Sequence, residues 1–157
     1  MHVQRVRAPE VVDAVLRASR VLVAVAVRSL AGVEDDVTLV QFRALVVLAS
    51  QGPQRPSELA DALGVHPSTV TRLCDRLVVK TLVRREESPK SRREVSVTLT
   101  PKGRRLVDAV TTTRRAEIST IVARIPTSER ATLVHALDAL AEAAHEPADS
   151  DWFMREP

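Results

Sequence analysis

The strongest constraint on the fold is the stretch 56–80, in which a single glycine separates two helical segments. One helix is predicted over 56–63, Gly64 breaks it, and a second helix is predicted over 67–80. Each segment begins with a proline, which is well tolerated at the first helical position because the missing N–H has no partner there. Glycine readily adopts the positive φ of a tight turn. This order is typical of a helix-turn-helix motif.

The second of these helices has two different faces. Val70, Leu73, Cys74 and Leu77 follow the i, i+3, i+4, i+7 spacing, so we expect them to point into the core. The opposite face carries hydroxyls and arginines, which suit the major groove because arginine can bind guanine O6 and N7. An ordinary amphipathic helix with a solvated polar face is the alternative. The predicted DNA-reading residues are Ser68, Thr69, Thr71, Arg72 and Arg76.

A basic two-stranded hairpin is predicted directly after this helix. Strands are expected over 82–86 and 94–99, because apolar and polar residues alternate in the second segment. The polar stretch 87–93 would form a long tip. A helix-turn-helix followed by such a hairpin is a winged helix-turn-helix. The predicted phosphate contacts are Arg55, Arg84, Arg85 and Lys90, and His66 could contact a phosphate or cap its helix.

Basic charge is concentrated in the same part of the chain. Residues 53–105 contain 12 lysines and arginines and 6 acids, a net charge of +6, whereas the remaining residues net −3. This asymmetry is typical of an anion-binding module on a neutral scaffold. Arginine outnumbers lysine 20 to 3, so codon bias could contribute to it, and a solvated charged face would look similar.

Long helices are predicted on both sides of this region. Their expected ranges are 9–30, 38–50, 101–125 and 127–144. Thr38 and Gln41 are predicted to form a capping box, and Thr127 is predicted to cap the last helix. The first helix is apolar nearly all round over 21–27, more than a solitary surface helix should be. Another surface must therefore cover it, and a second subunit is one candidate.

Composition excludes several classes of function. The single cysteine, Cys74, excludes a disulfide framework, and its place on the buried stripe favours an inert core thiol over a redox switch. The four glycines form no phosphate-binding loop. The longest apolar run, 21–27, is far shorter than the roughly 20 residues of a membrane span. We expect a cytoplasmic protein that is not an enzyme and has no cofactor or metal.

Over residues 38–103, these motifs together resemble the MarR (multiple antibiotic resistance regulator) family. The matching pieces are Leu59-Ala60 with Gly64, Ser68 to Leu73, Arg92-Arg93, and Leu99-Thr100 with Gly103. The resemblance implies a mainly α (α+β) fold, a winged helix-turn-helix with long N- and C-terminal dimerisation helices. The expected divisions are a first dimerisation helix and turn (9–36), a DNA-binding domain (37–100), two further dimerisation helices (101–145) and a polar tail (146–157).

The resemblance also implies a homodimeric transcriptional repressor that a small aromatic or amphipathic effector relieves. The hairpin tip would enter the minor groove with Arg92 or Arg93, and two-fold symmetry would require a pseudo-palindromic site in duplex DNA. The effector would bind between the dimerisation helices and the winged domain, with Phe42 as a candidate lining residue. A sequence-tolerant architectural DNA binder and a helical protein-interaction module are the alternatives.

Two positions depart from the family pattern. Ser91 stands where the family often has an acid that holds the wing tip, a role that Glu87 or Glu94 could take. Thr81 stands where glycine commonly serves as a left-handed cap, so we expect the helix over 67–80 to end differently. The tail pair Trp152-Phe153 could dock on the body of the protein or form a free end.

Overall fold

The computed structural model describes residues 6–88 and 91–146, with six helices and one hairpin in these ranges. The elements are α1 (Ala8–Ala31), α2 (Leu39–Gln51), α3 (Pro56–Leu63), α4 (Pro67–Val79), β1 (Val83–Ser88), β2 (Ser91–Leu99), α5 (Pro101–Val122) and α6 (Thr127–Ala143). The predicted mainly α winged-helix fold is confirmed. The tail pair Trp152-Phe153 lies outside the described residues.

Of the two predicted helix caps, the one at α2 is confirmed and the one at α6 is wrong. Thr38 and Gln41 form the predicted capping box at α2, with N···O distances of 3.2 and 3.1 Å. The prediction that Thr127 caps α6 is wrong, because Pro126 occupies the N-cap and Thr127 is the first helical residue. The carbonyl of Pro126 accepts the N–H of Glu129 at 3.0 Å, so the capping position lies one residue before the threonine that we expected there.

The core lies within the winged domain. Helix α2 packs against α3, β2 and the first half of α5, α3 packs against α4 and β2, and α4 packs against β1. Each fully buried aliphatic side chain contributes about 1.5–3 kcal/mol relative to exposure. The fully buried side chains include Leu45, Leu48, Leu59, Leu77, Leu82, Val97 and Val107. In contrast, α1 buries few residues and α6 buries none, so these two helices extend beyond the core.

The hairpin is anchored to the body at its base. Its antiparallel strands pair from Val83 opposite Leu99 to Glu87 opposite Val95. Val97 also exchanges backbone hydrogen bonds with Gln54, at 2.7 and 3.1 Å, just before α3. Pairing continues to Ser88 opposite Ser91, so the predicted long tip over 87–93 is too long. Polar side chains do not prevent this extension, because both faces of the outer hairpin can be solvated.

None of the helices in the described parts of the chain combines the length and hydropathy needed to cross a bilayer.

Candidate nucleic-acid interface

The turn between α3 and α4 depends on the backbone conformation of Gly64. Gly64 has φ 64° and ψ 34°, the left-handed conformation that favours glycine. The N–H of Val65 reaches the carbonyl of Ala60 at 3.1 Å, and that of Gly64 reaches Asp61 at 3.2 Å. These two bonds form a Schellman motif, which satisfies the last carbonyls of α3 and turns the chain into α4.

The two faces of α4 are disposed as the spacing predicts. Val70, Leu73, Cys74 and Leu77 are buried. The other face is solvent-exposed, and it carries Ser68, Thr69, Thr71, Arg72, Asp75 and Arg76. Among the contacts between described residues, none is an ion pair or a side-chain hydrogen bond of Arg72 or Arg76. Two solvated guanidinium groups therefore stand on one helix face beside small hydroxyls, a surface suited to base edges and phosphates.

His66 caps the start of α4. Its Nδ1 accepts the backbone N–H of Ser68 at 3.2 Å and lies 2.8 Å from the Ser68 hydroxyl oxygen. The side chain is exposed, and the capping contacts use Nδ1 and not Nε2. The capping alternative is thus realised, and a phosphate contact through Nε2 stays a prediction.

Arg55 lies at the start of α3 and is held there by acids. It donates to Glu58 Oε1 at 2.9 Å, and it lies 3.7 Å from Glu94 of β2. The hydrogen bond to Glu58 raises the pKa of Arg55 further above its usual value. Glu94 therefore ties the hairpin to α3. Such exposed pairs are weak and can exchange for a phosphate.

Arg84 and Arg85 also pair with acids nearby. Arg84 contacts Glu86 in the same strand, and Arg85 donates to Asp75 Oδ1 of α4 at 2.6 Å. The second pair joins α4 to the hairpin. The sequence gives no local signal for this link, since its partners lie on different elements. Each predicted phosphate arginine in the described residues thus has an acidic neighbour, with which a DNA phosphate would compete.

The wing residues are only partly described. Arg92 and Arg93 lie in β2, but their side chains are outside the described part of the structure. Lys90 lies outside it entirely. Their roles in DNA contact stay predictions.

The end of α4 corrects one expectation. Thr81 does adopt positive φ, at 58°, although we expected a different ending for this helix. Its N–H reaches Val78 O at 2.9 Å, and the N–H of Leu82 reaches Leu77 O at 3.0 Å, which completes a Schellman motif. The carbonyl of Thr81 also accepts the hydroxyl of Thr100 at 2.7 Å. Tertiary contacts therefore hold a threonine in a conformation that its own propensity disfavours.

Cys74 is buried on the inner stripe of α4, with 1% of its surface exposed. Burial raises the pKa of the thiol above its usual value, so the reactive thiolate is disfavoured. This environment fits the expectation of an inert core residue.

A second candidate site is a cleft of about 740 Å³ between α1, α2 and α5. Phe42 lines it, as proposed from the sequence, and the Arg114 guanidinium lies 4.6 Å from the centre of that ring. Arg114 Nε donates to Ser29 Oγ at 3.0 Å, and burial lowers the pKa of Arg114. Sequence reasoning missed Arg43, Arg114 and Glu146 here, because nothing local brings positions so far apart into one cleft.

A helix-turn-helix with an exposed arginine-bearing second helix and an adjoining hairpin defines a winged helix-turn-helix protein.

The comparisons with known proteins agree with this class. The MarR family model matches residues 37–95. The HTH-type transcriptional repressor MdtR of Bacillus subtilis is 32% identical over 111 residues, which are 71% of this chain and 72% of MdtR. The crystal structure of RV1404 from Mycobacterium tuberculosis is 45% identical, with a TM-score of 0.83, and the match covers 91% of this chain and 98% of RV1404. The chain belongs to the MarR family.

A third similar protein is regulated by a ligand. BpsR of Bordetella bronchiseptica is 26% identical, with a TM-score of 0.64 over 84% of this chain and 98% of BpsR. The DNA binding of BpsR is regulated by 6-hydroxynicotinic acid. The matched relatives with functional names are transcriptional regulators, not enzymes.

Proposed function

We propose that this chain is a homodimeric repressor that binds a pseudo-palindromic site in duplex DNA and is released by a small anionic effector. The observation that carries the proposal is the exposed face of α4. There Arg72 and Arg76 have no ion-pair partner among the described residues, while the opposite face anchors the helix in the core. A rigid helix with solvated arginines is positioned to read a groove.

The DNA contacts divide by role. Side chains of α4 would enter the major groove and read base edges, namely Ser68, Thr69, Thr71, Arg72 and Arg76. The hairpin, with Lys90, Arg92 and Arg93, would reach the neighbouring minor groove, where arginine is attracted to narrow A·T-rich segments. Phosphates would be contacted by Arg55, Arg84, Arg85 and His66, which fix the register but carry no sequence information.

Dimerisation would use the long outer helices. On α1, Val12, Leu16 and Val23 are each more than half exposed, and on α6 Val134 and Leu137 are 58% and 48% exposed. Large apolar side chains at this density mark an interaction surface. A two-fold dimer built on α1, α5 and α6 would bury them, and it would set two α4 helices about one turn of DNA apart.

The effector would occupy the cleft between α1, α2 and α5. Its lining combines Phe42 and aliphatic side chains with Arg43, Arg114 and Arg115. An aromatic carboxylate would match this mixture of an apolar wall and positive charge. The regulation of BpsR by 6-hydroxynicotinic acid, an aromatic acid, supports this ligand class.

Selection of bound duplexes from a random library tests the proposal. The expected product is an inverted repeat with half-sites about 10 base pairs apart, centre to centre. Recovery of no common sequence would favour an architectural binder. Failure to retard any duplex at low salt would favour a protein-interaction module. Arg72→Ala should weaken the preference for the selected sequence. Arg105→Ala is the matched control, because it removes an exposed arginine from α5, where no DNA contact is proposed.

A further inference from the structure

We infer that Arg43 is the anion subsite of this cleft and that the carboxylate of Glu146 occupies it in the ligand-free protein. The inference rests on the proposed effector cleft. It adds that Arg43 binds the carboxylate of the ligand and that Glu146 must leave Arg43 first. An incoming aromatic carboxylate would exchange with Glu146 on Arg43.

The contact itself has the geometry of carboxylate recognition. Arg43 Nη1 donates to Glu146 Oε1 at 2.7 Å, and Arg43 Nη2 donates to Glu146 Oε2 at 2.6 Å. Two parallel bonds from one guanidinium to one carboxylate form the pairing by which arginine binds planar anions. Both residues line the cleft. Glu146 thus shows where and in which orientation a ligand carboxylate fits.

The end of α6 directs Glu146 to this position. Helix α6 ends in a third Schellman motif, with His145 at φ 56°. The N–H of Glu146 reaches Ala141 O and that of His145 reaches Glu142 O, both at 3.0 Å. This motif turns the chain out of α6, and Glu146 crosses to α2, 103 residues away in sequence.

The contact is exchangeable. The side chains of Arg43 and Glu146 are 42% and 44% exposed, so water reaches both. An exposed ion pair is worth little, and another carboxylate with added apolar contacts can replace it. Glu146 lies beyond the last residue of α6, Ala143, so its side chain can leave Arg43 while the helix stays in place.

The charge of the lining favours an anion in the place of Glu146. Two lining arginines, Arg43 and Arg114, are matched by one lining acid, Glu146. Arg114 contacts the hydroxyl of Ser29 and the ring of Phe42, and it has no carboxylate partner among the described residues. The Arg43 hydrogen bonds hold the pKa of Glu146 below its usual value, so the occupant is ionised at neutral pH. The ligand class is therefore a monocarboxylate with an aromatic or similarly flat apolar body.

Calorimetric titration of the 157-residue chain with benzoate tests the inference, with benzamide as a neutral analogue. Glu146→Gln should bind benzoate about three- to fivefold more tightly than the unsubstituted protein, because the competing carboxylate is gone. Arg43→Gln should bind it about tenfold more weakly. In the Arg43→Gln background, adding Glu146→Gln should not increase the affinity for benzoate. Benzamide binding should not respond to Glu146→Gln.

Glu142→Gln is the matched control. It removes one negative charge from an exposed position at the end of α6 without touching Arg43, and benzoate affinity should stay unchanged. Equal benzoate affinity of the unsubstituted protein and Glu146→Gln would overturn the inference and leave the effector cleft standing. A gain that persists in the Arg43→Gln background would also overturn it, since the effect would then be long-range charge. Absence of benzoate binding in every variant would contradict the cleft itself.

Discussion

At the scale of single residues, Gly103 is required because a side chain would have no space there. A positive φ is not the reason. A Cβ at this position would lie 2.2 Å from the carbonyl oxygen of Leu82 and 2.7 Å from Leu99 Cδ1. The first atom belongs to the backbone and cannot rotate away. Gly103 therefore allows the first turn of α5 to close against the junction between α4 and the hairpin.

Gly103→Ala should lower the free energy of unfolding by about 1–3 kcal/mol, the usual range for overpacking. Urea denaturation at a fixed protein concentration measures this change. Gly32→Ala is the control, because a Cβ added there would meet no atom within 4 Å and its φ of −86° suits alanine. Equal stabilities for the two variants would contradict the packing argument.

Thr81 provides the opposite case, a residue whose conformation suits glycine better. A left-handed residue with a Cβ is strained by roughly 1–2 kcal/mol, and the freedom of glycine in the unfolded chain offsets roughly 0.5–1 kcal/mol of that. Thr81→Gly should therefore raise the free energy of unfolding by about 0.5–1 kcal/mol, measured in the same way. Gly64→Ala, at a similar φ, should lower it. A destabilised Thr81→Gly variant would show that the Thr81 side chain contributes more than its strain removes.

At the scale of elements, the helix boundaries were largely predictable because their signals are local. Pro56, Pro67 and Thr100 mark starts that depend on neighbouring residues alone. The hairpin extension to Ser88 and Ser91 was missed, because strand pairing depends on a partner segment.

The candidate sites differ in the same way, because some of their features depend on local sequence and others depend on the folded chain. The exposed face of α4 follows from helical spacing, so its side-chain directions were predictable. The Asp75–Arg85 link and the Arg43–Glu146 pair join different elements, and only the folded chain brings them together. Thr81 was misjudged for a related reason, because contacts beyond the helix override its own preference.

The hairpin and α4 are expected to contribute differently to DNA binding. Replacing Arg92 and Arg93 together by alanine should weaken binding to all duplexes, and it should reduce the slope of log affinity against log salt by about one unit per lost contact. Fluorescence anisotropy across a salt series measures the slope. Arg105→Ala should leave it unchanged. An unchanged slope in the Arg92/Arg93 variant would remove the hairpin from the DNA interface.

At the scale of the whole molecule, the proposed function requires two copies of the chain to bind one DNA site. Leu137 is 48% exposed on α6, within the proposed dimer surface. Leu137→Glu should place a charge in that interface and shift the protein towards monomer in sedimentation, with at least about tenfold weaker binding to a two-half-site duplex. Val40→Glu on α2, at a similar exposure of 45%, is the control and should stay dimeric. A Leu137→Glu variant that remains dimeric would place the interface elsewhere.

The most direct test of the central claim is the ratio of affinities for the selected duplex and a scrambled duplex, measured at one fixed salt concentration. The proposal that α4 reads DNA sequence predicts a ratio of about 10³ or more for the unsubstituted protein. Arg72→Ala should lower affinity for the selected duplex by about 1–3 kcal/mol and reduce the ratio accordingly. Arg105→Ala should preserve the ratio. A ratio near unity for the unsubstituted protein, or a ratio unaffected by Arg72→Ala, would contradict the claim.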